Sequence, residues 1–125
     1  MVKKTSYKEL DLGFEYPKDI SSEAIIDDRE GFRLLFSANK KVGWLRVSFD
    51  GSYAYRKADE GDRYKVISNL PQPIGIAYEV FDSDFLEWFK TEALNSQEGL
   101  RHFMFIASCD VIDVLDFEFP KIELL

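Results

Sequence analysis

A single histidine and a single cysteine limit the chemistry open to this chain of 125 residues. One cysteine cannot form an intrachain disulfide, so the fold must rest on noncovalent packing, and a reducing cytoplasm is its expected home. One histidine excludes histidine-pair metal motifs, and any Ser–His–Asp or Cys–His scheme has to use His102 as its base. Glycine-rich phosphate loops and paired cysteines are missing as well, so neither a metal nor a cofactor is expected. No apolar run reaches the roughly 18 residues that suggest a membrane span. The opening MVKKTSYKELDLGF has no apolar centre of the kind a secretory signal needs, and none is expected.

Positive charge is also scarce. The chain has 16 Lys and Arg against 23 Asp and Glu, a formal net charge of −7. Nucleic-acid affinity comes mainly from cations that neutralise phosphates, so this balance argues against a nucleic-acid binder. It suits solubility, or attraction to a basic partner. Tyr53, Tyr55, Arg56, Lys57, Arg63, Tyr64 and Lys65 do interleave aromatics with cations, as a stacking platform for single strands would. Cross-strand packing of tyrosines beside cations explains them equally well.

Apolar and aromatic residues are plentiful. Hydrophobic residues make up 46% of the chain and aromatics 15%. That supports one domain over 1–125 with an ordinary core, tilted towards β structure. Residues 1–28 show no clear period and are expected to form a less regular N-terminal arm. From Gly31 the punctuation becomes regular. Phe32 to Phe36 reads as a short strand and residues 38–41 as a polar turn. Leu45, Val47 and Phe49 alternate as one face of a half-buried strand. Asp50-Gly51 signals a hairpin into Tyr53–Lys57, and a further turn leads to a strand over Arg63–Ile67, which together make a β-meander. Pro71 and Pro73 mark a connection.

The second half carries the strongest pattern. Ile76 to Phe81 reads as a strand. Asp82 or Ser83 can cap a helix of about 83–95, with Phe85, Leu86, Phe89 and Ala93 as its apolar stripe and Trp88 on its flank. Asn95 to Gly99 ends it. His102 to Cys109 is almost wholly apolar, which requires cover on both faces and a central place in a sheet. A right-handed crossover would make it parallel to Ile76–Phe81. From Asp110 an acidic residue at every third position suits a helix, whereas Val111, Ile112, Val114 and Phe117 favour a strand, and strand is preferred. The fold expected is therefore α+β: a twisted, mostly antiparallel sheet of about seven strands, curled towards a barrel, with one main helix packed on it.

Few residues invite a chemical reading. His102 and Cys109 lie seven positions apart in the expected strand, too distant and on opposite faces to cooperate. Cys109 is expected as a small buried hydrophobe and His102 as the start of the strand. Asp110, Asp113, Asp116 and Glu118 would share oxygen ligands for a hard cation only on a helix. On a strand Asp113 opposes the other three, and solvated edge charges that block aggregation fit better. Glu92 falls within the apolar arc of the helix, where partial burial would raise its pKa, although the helix end lets it reach water.

Leu86-Glu87-Trp88-Phe89, His102-Phe103, Ser108-Cys109-Asp110, Ile112-Asp113-Val114-Leu115 and Pro120-Lys121-Ile122 together resemble the ending of a group of small uncharacterised bacterial proteins. More loosely they are similar to immunity proteins of polymorphic toxin systems. The resemblance covers about a third of the chain and falls mainly on core positions. It implies a cytoplasmic protein that binds and neutralises a toxin domain without catalysis.

The leading expectation is thus a non-enzymatic bacterial interaction protein that binds a basic protein partner through an acidic-aromatic face. That face would comprise Asp110, Asp113, Asp116 and Glu118 with Trp88 or Tyr55. The alternative is a small-ligand-binding domain or minor hydrolase, with Glu92 and His102 in a pocket between sheet and helix. A third is a structural subunit or homodimer paired through an edge strand, against a monomer. Membrane and nucleic-acid partners are not expected.

Overall fold

The computed structural model describes residues 4–38, 41–94 and 97–125. Asn39 and Lys40 of the expected turn, and Asn95 and Ser96 of the expected helix end, lie outside the described residues. Among the described residues, nine strands and two short α-helices follow one another. The strands are β1 (Ser6–Glu9), β2 (Ile20–Asp28), β3 (Gly31–Ala38), β4 (Leu45–Phe49), β5 (Ala54–Asp59), β6 (Ala77–Phe81), β7 (Arg101–Ile106), β8 (Asp110–Asp116) and β9 (Lys121–Leu124). A 3₁₀ turn (Glu60–Arg63) leads into α1 (Tyr64–Ser68), and α2 (Asp84–Glu92) lies between β6 and β7.

The strands form two antiparallel sheets, ordered β1-β6-β7-β8-β5 and β2-β3-β4-β9. The fold is α+β, with more strands than the sequence suggested and no closed barrel. The sheets pack face to face. Phe32, Phe36, Leu45, Val47 and Phe49 from the four-stranded sheet meet Phe103, Phe105, Ile112 and Val114 from the five-stranded one. The Phe49 and Phe103 rings lie 5.7 Å apart. The opposite face of the five-stranded sheet is covered by helices. Val66, Ile67 and Leu70 pack on Tyr78, Val80 and Met104, and Phe85, Leu86 and Phe89 pack around Leu115. β7 is the central strand, covered on both faces, as its unbroken apolar run requires.

Four expectations are corrected. β7 runs antiparallel to β6, because α2 leads away from the end of β6 and the following segment returns to that same end. Asp50-Gly51 does not close a hairpin: β4 and β5 belong to different sheets, and β5 pairs with β8. Arg63–Ile67 is not a strand. The Asp59 carboxylate accepts the Gly61 amide at 2.9 Å and caps a 3₁₀ turn, after which Val66, Ile67 and Leu70 recur at helical spacing. The irregular arm contains β1 and β2. A bulge between Ser22 and Ala24 switches the inward face of β2 in mid-strand, which erases the period-two signal.

α2 has the cap its sequence suggests. Asp82 adopts φ 54°, a turn conformation that aspartate tolerates, and Ser83 accepts the Leu86 amide at 3.0 Å. The β2–β3 hairpin depends on Gly31. Its φ is +119°, and an added Cβ would stand 2.8 Å from the Phe49 carbonyl oxygen of the neighbouring strand. We expect Gly31→Ala to destabilise the protein by about 1–3 kcal/mol, read as a lower urea midpoint with unchanged slope.

Candidate functional site

The β6–α2 turn places Ser83 over the helix-covered face of the five-stranded sheet. His102 of β7 points to that face, and so does Asp113 of β8. Asp113 pairs with Met104, two residues along from His102, so the imidazole and carboxylate are diagonal neighbours. His102 Nδ1 lies 2.8 Å from Ser83 Oγ, and His102 Nε2 lies 2.6 Å from Asp113 Oδ1. Ser83 Oγ already accepts the Leu86 amide, which leaves its hydroxyl hydrogen to donate to Nδ1; the opposite ring nitrogen then donates to Asp113. The other carboxylate oxygen of Asp113 accepts Arg56 Nε at 2.9 Å and Arg63 Nη1.

This cluster is buried. Relative exposure is 7% at Ser83, 2% at His102 and 0% at Asp113. Burial alone would raise the pKa of the Asp113 carboxyl. The hydrogen bonds from His102 and Arg63, with the charge of the arginine, outweigh it and hold the group well below the usual carboxylate range. Phe85 meets the imidazole edge-on at 5.5 Å, and the Arg56 guanidinium lies 4.3 Å above the Phe85 ring. A cavity of about 100 Å³ opens beside Ser83 and His102, with Thr5, Tyr7, Arg56 and Arg63 in its walls. Burial pushes the Tyr7 phenol above its ordinary pKa.

The expected site residues scatter. Asp113 joins the buried cluster. Asp116, on the opposite face of β8, is also buried: Oδ1 accepts the Phe117 amide at 2.8 Å, while Oδ2 has no partner among the described residues. Burial, above all, raises its pKa. Neither is a solvated edge charge, because β8 lies between β7 and β5. Asp110 alone of the three reaches solvent, 3.6 Å from Lys57 Nζ. Glu118 is exposed beyond β8. Trp88 is exposed on α2 and stacks on Phe85. Tyr55 is half-exposed, its ring against Phe32. Glu92 is exposed at the end of α2, and the cavity that His102 lines does not include it. Cys109 is exposed rather than buried, since β7 ends at Ile106. Among the described residues no three acidic, histidine or cysteine side chains converge on a metal-sized site. Among the described residues, no helix is long and apolar enough to cross a membrane.

Sequence reading missed a second feature. Asp59 and Asp110 are directly opposed across β5 and β8, a like-charge pairing that destabilises a sheet. Glu60 and Asp62 follow in the 3₁₀ turn, and the Glu60 amide donates to the Cys109 carbonyl. Tyr64, 71% exposed, stands at the start of α1 just after them. The run Asp59-Glu60-Gly61-Asp62 was visible in the sequence, but Asp110 joins it only through strand pairing.

The two buried aspartates should oppose each other in acid. The stability that Asp113 confers is complete above the unfolded carboxylate pKa of about 4 and is lost as pH falls towards its lower native value. Asp116 acts in reverse: its native pKa is raised, so stability declines as pH rises above about 4. Asp113→Asn should cost about 3 kcal/mol at pH 7 and flatten the acid limb. Asp116→Asn should remove the decline above about pH 4. Urea titrations from pH 2 to pH 7 read both; an unaltered pH profile in either variant refutes the corresponding assignment.

Comparison with protein-family models, curated proteins and solved structures finds no match for this chain.

Proposed function

We propose that this protein acts by binding a basic protein partner, in the manner of an immunity or inhibitor protein. The docking face is the acidic tip formed by Asp59, Glu60, Asp62 and Asp110, with Tyr64 as its aromatic anchor. One observation carries the reading: the directly opposed pair Asp59 and Asp110. Two carboxylates facing each other across a ladder repel; Lys57 already pairs with Asp110 at 3.6 Å, and a partner's lysine or arginine beside Asp59 would relieve the repulsion further. The exposed Tyr64 ring offers the apolar contact that binding hot spots use. The net charge of −7 steers a basic surface towards the tip. The resemblance to bacterial immunity proteins in the C-terminal third points the same way, towards a toxin domain in the cytoplasm.

This face replaces the one drawn from the sequence. It keeps Asp110, drops the buried Asp113 and Asp116 and the exposed Glu118, adds Asp59, Glu60 and Asp62, and exchanges Trp88 and Tyr55 for Tyr64. The partner is sought in the product of the adjacent gene, titrated calorimetrically against the full chain. We expect tight association that weakens with salt, and a loss of about a hundredfold or more in the Asp59→Lys/Asp110→Lys double variant. No heat with the wild-type chain, or equal affinity for the charge-reversed variant, rejects the proposal.

A further inference from the structure

We propose a second activity, independent of partner docking: Ser83 is an activated nucleophile that hydrolyses small, uncharged acyl esters in the cavity beneath α2. The hydrogen-bonded order Ser83 Oγ, His102, Asp113 supplies a nucleophile, a base and the anion that orients the base. The ring is turned so that Nδ1 faces the serine and Nε2 the carboxylate. Either imidazole nitrogen can take a proton while the other donates, so the reversed ring preserves the roles. Asp113 stays ionised because Arg56 and Arg63 hold its second oxygen.

Ser83 also occupies the position where such a nucleophile is best supported. It sits between a strand and the N-terminus of a nine-residue helix. The first-turn amides of Asp84 and Phe85 have no carbonyl four residues earlier within the helix to bond. They can donate to an oxyanion that forms above Ser83. Ser83, Asp84, Phe85 and His102 all line the cavity.

The cavity sets the substrate class. At about 100 Å³ it admits a short acyl group but not a long chain. Asp84 and Asp113 balance Arg56 and Arg63 around it, so it has no net charge to select an anion.

Ser83 Oγ attacks the ester carbonyl and passes its proton to His102 Nδ1. The bond to the alcohol breaks, and the departing alkoxide takes that proton. Water then attacks the acyl-Ser83 ester and gives a proton to Nδ1. That proton returns to Ser83 Oγ as the acid leaves.

The test uses the folded full chain, a fluorophosphonate probe and two esters, 4-nitrophenyl acetate and 4-nitrophenyl octanoate. We expect one phosphonyl adduct, mapped to Ser83, and hydrolysis of the acetate about tenfold or more faster than the octanoate. Ser83→Asn keeps a helix-capping side chain and should show neither adduct nor turnover. His102→Gln should slow labelling about a hundredfold or more. The absence of an adduct on the folded wild-type chain overturns the proposal whatever the variants do. So does an adduct on another residue, or wild-type labelling of a folded His102→Gln protein.

Discussion

A buried carboxylate cannot remain charged without partners close enough to replace water, and Asp113 meets that demand at the centre of this protein. Its partners come from three other places in the chain: Arg56 on β5, Arg63 in the 3₁₀ turn and His102 on β7. His102 in turn holds Ser83, which caps α2. One ionised group thereby fixes the register of the helical layer on the five-stranded sheet. Apolar packing drives that layer down, but the charge network determines which side chains meet.

Two groups of carboxylates make opposite demands. Asp113 and Glu79 are buried and paired with guanidinium groups. Asp59, Glu60, Asp62 and Asp110 crowd the tip, where Lys57 is the cation paired with Asp110. Net charge alone does not separate the two groups. Only the pairing of β5 with β8 shows which acids support the fold and which present a field to solvent.

Much of this architecture was legible in the residues. The alternation of Leu45, Val47 and Phe49, the Ser83 cap and the apolar run of β7 each identify an element because each is a local pattern. Strand partners are not local, so the two-sheet arrangement and the antiparallel return after α2 were beyond reach. The same limit hid the Ser83–His102–Asp113 arrangement. One clue was present: Asp113 interrupts the apolar sequence Val-Ile-Asp-Val-Leu, and a charge that such a run carries into the core has to be paired. β2 went unseen for a different reason, since its bulge breaks the one regularity that marks a strand.

That bulge also bears on how copies of the protein behave when crowded. β2 is a nine-residue border of the four-stranded sheet, free of proline, and the Ile20 carbonyl at its start accepts the Ser108 amide. A straight border of that length would template a neighbouring molecule. The kink between Ser22 and Ala24 throws the two halves of the strand out of step, so an incoming chain can match one half but not both. The irregularity that concealed the strand is thus also what discourages the protein from polymerising along it.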